Sequence, residues 1–204
     1  MNNNYLKKET LTYLNEIQSI AYRCVIDEHF FEIVTRNTKN DFWNVVQNAL
    51  GDGVCIYWSH LFGNNNDHFH YSKFFNRPDV QAAGEEYSTE AIKKRILAVI
   101  EYNDTQYDQF WNEVKCCRDK FLAHKDKDAK CVYPTTHICR LMAEELRVIL
   151  YELVEKWLVE FRDDDHLVQE LSFLKIGLKQ SNSFLHEKCL NMYNSRGLSS
   201  FDAT

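Results

Sequence analysis

Apolar positions recur every three or four residues along most of the 204-residue chain, the rhythm of amphipathic helices. Leu14, Ile17, Ala21, Cys24 and Phe31 set it over about residues 5–36, and the polar run TRNTKN at 35–40 breaks it. Asp41 is placed to cap a second helix, along which Phe42, Val45, Ala49, Ile56 and His60 share one side. Gly51 and Gly53 each cost that helix roughly 1 kcal/mol, a cost that fits the close approach of another backbone. Over residues 61–87, LFGNNNDHFHYSKFFNRPDVQAAGEEY, the period is lost. A long structureless connection inside a compact domain is usually functional or mobile.

The rhythm resumes after Ser88, a candidate N-cap, in TEAIKKRILAVIEY, with Ile92, Ile96 and Val99 or Ile100 as its stripe. Asn103 or Asp104 caps a fourth helix, on which Tyr107, Phe110 or Trp111, Val114, Cys117 or Arg118, and Phe121 line up. KDKDAKCVY reads as a turn, and Pro134 suits the first position of a fifth helix. That helix carries the clearest stripe: Ile138, Met142, Leu146, Ile149, Leu153, Trp157 and Phe161. RDDD at 162–165 ends it and caps a last helix bearing Leu167, Leu171, Leu174 and Leu178. The expected class is all-α: one bundle of about five to six helices over residues 1–190, with a long loop between helices two and three. Residues 191–204 are expected to form a flexible tail. Trp43, Trp58, Trp111 and Trp157 fall on helical stripes and are expected in the core.

Composition supports this class. Two prolines and six glycines in 204 residues disfavour a turn-rich sandwich. The net charge of −6 excludes a general nucleic-acid coat, so any nucleic-acid site must be a local patch. Seven cysteines, an odd number with no CxxC spacing, point to buried thiols in a reducing cytoplasm. The adjacent Cys116 and Cys117 are read the same way. The start MNNNYLKKETLTYLNE has no signal-peptide core, and no apolar run is long enough to span a membrane. A soluble cytoplasmic protein with no membrane partner is expected.

One segment runs against the global charge. Residues 115–130, KCCRDKFLAHKDKDAK, hold six basic and three acidic side chains and a histidine. A polyanion is drawn there, with Lys115, Lys120, Lys125 and Lys127 as its contacts. Arg118 and His124 are the chemical candidates. On a straight helix, six residues at 100° each leave them about 120° apart, so they do not share a face. Joint work needs the helix to end or distort near Ala123, or two copies of the chain to face each other. The plain alternative is a cationic helix end, where Arg, Lys and His complement the helix dipole.

RDKFLAHKD (118–126) is an arginine, a polar residue, four more positions and a histidine near the end of a helix. It resembles the signature of the HEPN superfamily, and the longer string looks most like abortive-infection proteins of the AbiU type. WSHLFG (58–63), ahead of a polar loop, is also similar to that group. The resemblance implies a HEPN-like antiparallel helical bundle. It implies a homodimer that cleaves RNA without a metal or other cofactor. Arg118 and His124 of both copies would share one cleft, with Asp119 as the polar residue after the arginine. It also implies a toxin or phage-defence setting, with an antitoxin protein as a further partner. Asp126 stands where some HEPN toxins carry a tyrosine that receives AMP, and the next tyrosine is Tyr133, so that regulation is not carried over.

The chemistry suits these side chains. RNA supplies its own nucleophile, the 2′-OH, and leaves a 2′,3′-cyclic phosphate. A histidine titrates near neutrality and can move the proton. A planar guanidinium fits the non-bridging oxygens on which charge builds. Asp119 would orient Arg118 or hold the imidazole tautomer. From a different class, a non-catalytic dimeric helical module would bind a protein or nucleic acid through the same cleft. His60, His68 and His70, with Cys55 nearby, lack the paired spacing of a zinc site. His60 is expected to pack with Trp58, and His68 and His70 to be solvated, His70 reaching a substrate only if the loop folds over the cleft. Lys93, Lys94 and Arg95 read as a solvated face unless they lie beside Arg118. Glu144 and Glu145 read as surface residues.

Overall fold

A computed structural model describes residues 6–37, 41–119 and 134–179, most of them helical. Among those residues there is no strand. The order is α1 (Lys8–Asn37), α2 (Asp41–Trp58), a π-helical segment (Ser59–Gly63), α3 (Tyr71–Phe75) and α4 (Pro78–Gln81). After a 3-10 turn (Glu85–Tyr87) come α5 (Thr89–Val99), α6 (Asp104–Cys116), α7 (Thr136–Glu160) and α8 (Asp165–Lys179). A second stretch of π geometry continues α6 over 117–119. No helix among the described residues is long and apolar enough to cross a membrane. The expected tail at 191–204, the KDKDAKCVY turn, Phe121, Cys131 and Cys189 lie outside the described residues.

One apolar cluster draws on every α-helix from α1 to α8. Leu14, Ile17, Ala21 and Cys24 of α1 are fully buried, as their spacing predicts. α1 and α2 run antiparallel: Gln47 donates to Thr35 at 2.9 Å, and Arg23 lies 3.5 Å from Tyr57 at the other end. α7 packs against α1, α2, α5 and α8, and Ile138, Met142, Leu146, Ile149, Leu153 and Trp157 all point inward. Arg95 of α5 is clamped to α7 by Glu145 at 2.5 Å and Glu152 at 2.5 Å. Arg147 of α7 donates to the Gly177 carbonyl of α8 at 3.0 Å, and Lys175 of α8 pairs with Glu155.

Helix ends follow their capping residues. Ser88 accepts from the Ala91 amide at 3.3 Å. Asn103 forms a reciprocal capping box with Gln106, and Asp164 accepts from the Leu167 amide at 3.0 Å. Between α5 and α6 the Tyr102 amide bonds back to the Leu97 carbonyl and the Glu101 amide to that of Ala98. This Schellman arrangement places Glu101 at φ 55°, where a glycine is usual. The α5 stripe resolves to Ile92, Ile96 and Ile100, with Val99 exposed.

Several expectations are corrected. The Phe42, Val45, Ala49 and Ile56 side of α2 faces outward, with Phe42 67% and Val45 68% exposed. α2 buries Gly51, Val54, Cys55 and Trp58 instead. The glycine-bearing face wins because α1 can come close there: a Cβ on Gly53 would sit 2.4 Å from Asp27 Oδ2. The 61–87 connection is not structureless. It folds into short helices and turns that bury Phe62, Tyr71, Phe74, Phe75, Val80 and Tyr87. Pro134 precedes α7, which starts at Thr136. Trp43 and Trp111 are only half-buried. Glu144 and Glu145 are largely covered and ion-paired to Arg140 and Arg95.

Candidate functional site

The two π segments meet at a cleft of about 630 Å3. Its cations are Lys93 from α5, Lys115 from the end of α6 and Arg118 from the π segment that follows it, against one lining carboxylate, Asp108. Lys93 reaches this cleft while Arg95, two residues on, points to α7, so the KKR face divides between the site and the scaffold. The Lys93 ammonium lies 3.5 Å from Asp104.

Trp111 forms an aromatic wall. Its indole N–H donates to the carbonyls of Gly63 at 2.7 Å and Phe62 at 3.2 Å. The Lys115 ammonium sits 4.9 Å from its ring centre, a cation–π contact. Trp111 therefore ties α6 to the π segment that follows α2. Tyr71 and Tyr107 also line the cleft. Burial pushes the Tyr71 hydroxyl up to about 12 and that of Tyr107 upward as well, so both stay protonated at neutral pH.

Arg118 stands in the second π segment, 30% of its side chain exposed. One oxygen of Asp119 takes both Arg118 Nε at 2.7 Å and Nη2 at 2.6 Å. Asp119 thus holds the guanidinium by one edge and leaves Nη1 without a hydrogen bond among the described residues. Nη1 would lie 3.8 Å from a Cβ built on Gly63. The structure brings together Lys115, Arg118 and Asp119 of the expected set. Lys120, His124, Lys125 and Lys127 lie outside the described residues.

The three histidines of the 60–70 stretch do not converge. His60 bonds to Asp67 at 2.8 Å, and exposed His68 meets the Tyr13 ring edge-on at 5.2 Å. His70, expected in solvent, is 4% exposed and caps α3: its Nδ1 lies 2.7 Å from Ser72 Oγ and accepts from the Ser72 amide at 3.3 Å. Burial pushes its pKa down to about 4, so it lines the cleft as a neutral ring. Among the described residues, the cluster with metal-ligand spacing is Glu28, His29 and Glu32 on α1, which the spacing arguments missed. Its carboxylate Glu28 already faces the Arg140 guanidinium at 2.7 Å. The buried thiols are core: Cys55 lies 4.0 Å from Cys117, and burial raises the thiol pKa values of Cys24 and Cys139. Cys116 is half-buried.

Sequence reasoning missed Ser59, Gly63 and Trp111 as parts of one site, and left Lys93 open on whether it lies beside Arg118, which it does across this cleft. The available signal was the pair of small residues one turn apart in WSHLFG. Compared with protein-family models, curated proteins and solved structures, the chain matches none.

Proposed function

We propose that the chain is a metal-independent endoribonuclease of the HEPN type, acting as a toxin or phage-defence component under the control of an antitoxin protein. The observation that carries this reading is Arg118. It is gripped on one edge by Asp119 and turns its free edge toward a cleft that also holds Lys93, Lys115 and the Trp111 ring. Such a cleft suits a flexible polyanion with stackable bases, which is the character of single-stranded RNA. Arg118 stabilises charge on the phosphate, and His124 moves the proton of the 2′-OH. RNA carries its own nucleophile, so these two groups suffice for strand cleavage.

The site is proposed to be shared by two copies of the chain. An exposed apolar stripe on α2, with Phe42 and Val45 two-thirds exposed, supports a homodimer. The same stripe is what a non-catalytic dimeric module would display, so dimerisation alone does not separate the two readings. Cleavage does. Purified protein is mixed with RNA in the presence of EDTA, with Arg118→Ala and His124→Ala alongside. The expected result is product ending in 2′,3′-cyclic phosphate, with each variant slower by at least about 100-fold. Inert wild type, or variants that cut as fast, would refute the enzyme and leave the module.

A further inference from the structure

We propose that Ser59, Gly63 and Arg118 form an oxyanion niche that holds a non-bridging phosphate oxygen of the RNA in the cleft. The niche rests on the ribonuclease reading for its ligand, and on four independent structural features for its shape.

The first is Ser59. It is 3% exposed, and its hydroxyl has no hydrogen-bond partner among the described residues. A helical serine or threonine commonly returns its hydroxyl to the carbonyl one turn back. Thr12, Ser19, Thr35 and Ser172 all do so here. Ser59 does not, and a buried hydroxyl without an acceptor calls for one.

The second is the missing side chain of Gly63. A Cβ built there would lie 3.9 Å from Ser59 Oγ and 3.8 Å from Arg118 Nη1. Both polar atoms therefore border the same small space, which glycine leaves open. The third is the direction of Arg118. Asp119 takes Nε and one N–H of Nη2, while Nη1, without a hydrogen bond among the described residues, borders the niche, and a guanidinium edge favours an anionic oxygen. The fourth is the nearby backbone. The carbonyls of Phe62 and Gly63 would repel an anion, yet both are engaged by the Trp111 indole. The rim adds Lys93 and Lys115. Two neutral-to-cationic donors, a vacated Cβ position and screened carbonyls make a place for one negatively charged oxygen.

Gly63→Ala is the decisive variant. Its methyl would meet Ser59 Cβ at 3.4 Å and the two polar atoms at 3.8 and 3.9 Å, all ordinary contacts. Alanine is also the better helix former, so the variant keeps the fold while filling the niche. The full chain, labelled with 15N, is titrated with inorganic phosphate and, separately, with a 2′-O-methyl RNA trinucleotide that cannot be cut. The Trp111 indole N–H is the reporter, since it is bonded to Gly63. Wild type is expected to show a saturable shift with both probes. Gly63→Ala and Ser59→Ala are each expected to bind the trinucleotide at least about tenfold more weakly, the effect of one lost charge-assisted hydrogen bond. Cleavage by Gly63→Ala is expected to slow in proportion. An indole unmoved by the trinucleotide, or Gly63→Ala binding it as tightly as wild type, overturns the niche. Wild-type cleavage with Gly63→Ala cutting equally well overturns the niche but leaves the ribonuclease reading standing. Trinucleotide binding that Gly63→Ala loses, in a protein that cuts no RNA, upholds the niche and removes the enzyme.

Discussion

His70 links the stability of the site to pH. The imidazole is 4% exposed, and the Ser72 amide donates to its Nδ1. The other ring nitrogen therefore carries the proton, on a ring that caps α3 and lines the cleft. Charging the ring would place a proton on Nδ1, oppose the Ser72 N–H and strand a cation in an apolar setting. Burial accordingly pushes the pKa down from 6.5 to about 4, with the Lys73 cation adding to the effect and Asp67 opposing it. Between pH 4 and 6.5 the unfolded chain binds a proton that the folded chain refuses. This contribution to stability is thus complete above pH 6.5 and is lost as pH falls toward 4. The full drop corresponds to roughly 3 kcal/mol. The assay is urea unfolding of wild type and His70→Asn between pH 4 and 7.5. Asparagine can still cap α3 but does not titrate. Asp67, half-buried and held below the usual carboxylate range by the Phe69 amide and His60, is present in both proteins. The advantage of wild type over His70→Asn is expected to shrink by about 2–3 kcal/mol from pH 7 to pH 4. A difference that stays constant across that range would refute the neutral, buried assignment.

Two further substitutions probe the scaffold. Glu101 holds a left-handed conformation at φ 55° inside a Schellman turn, so Glu101→Gly is expected to stabilise the fold by about 0.5 kcal/mol, strain relief outweighing the entropy of glycine; a lower melting temperature would count against that reading. Phe42→Ser with Val45→Ser, both at outward positions of α2, is expected to change monomer stability by no more than about 0.5 kcal/mol each. The same pair should weaken self-association at least about tenfold in sedimentation velocity, and unchanged association would remove α2 from the dimer interface.

The elements that were legible in the sequence are those with one apolar face. α7 has a single stripe from Ile138 to Trp157, and every member is buried. α2 misled because it is apolar on two sides, and periodicity does not say which side a neighbour covers. The choice fell to Gly51 and Gly53, which let α1 approach and carry Val54, Cys55 and Trp58 inward. The 61–87 stretch hid its order because α3 and α4 are five and four residues long, too short to show a helical period. Their folding is set by tertiary burial of Phe74, Phe75 and Val80. For the site, local charge pointed to Lys115 and Arg118. Lys93 and Ser59 join them only through the packing of α5, α6 and the π segment, which no local pattern encodes.

The geometry of Arg118 also changes the argument about assembly. The 120° separation from His124 assumes a regular helix from 118 onward. Regular α geometry ends at Cys116, and the chain continues through 117–119 as a π turn, which advances fewer degrees per residue than an α-helix. Cys117 stays in the core at 1% exposure while Arg118 reaches the cleft, so the wide turn divides neighbouring residues between packing and chemistry. Wide turns of this kind are frequent at functional sites, and here a second one, Ser59–Gly63, lies across the same cleft. The straight-helix angle therefore does not describe the chain where it leaves Arg118. The proposed homodimer rests instead on the outward apolar stripe of α2, because an exposed Phe42 and Val45 side by side call for a partner surface in a way that an angle along a distorted helix does not.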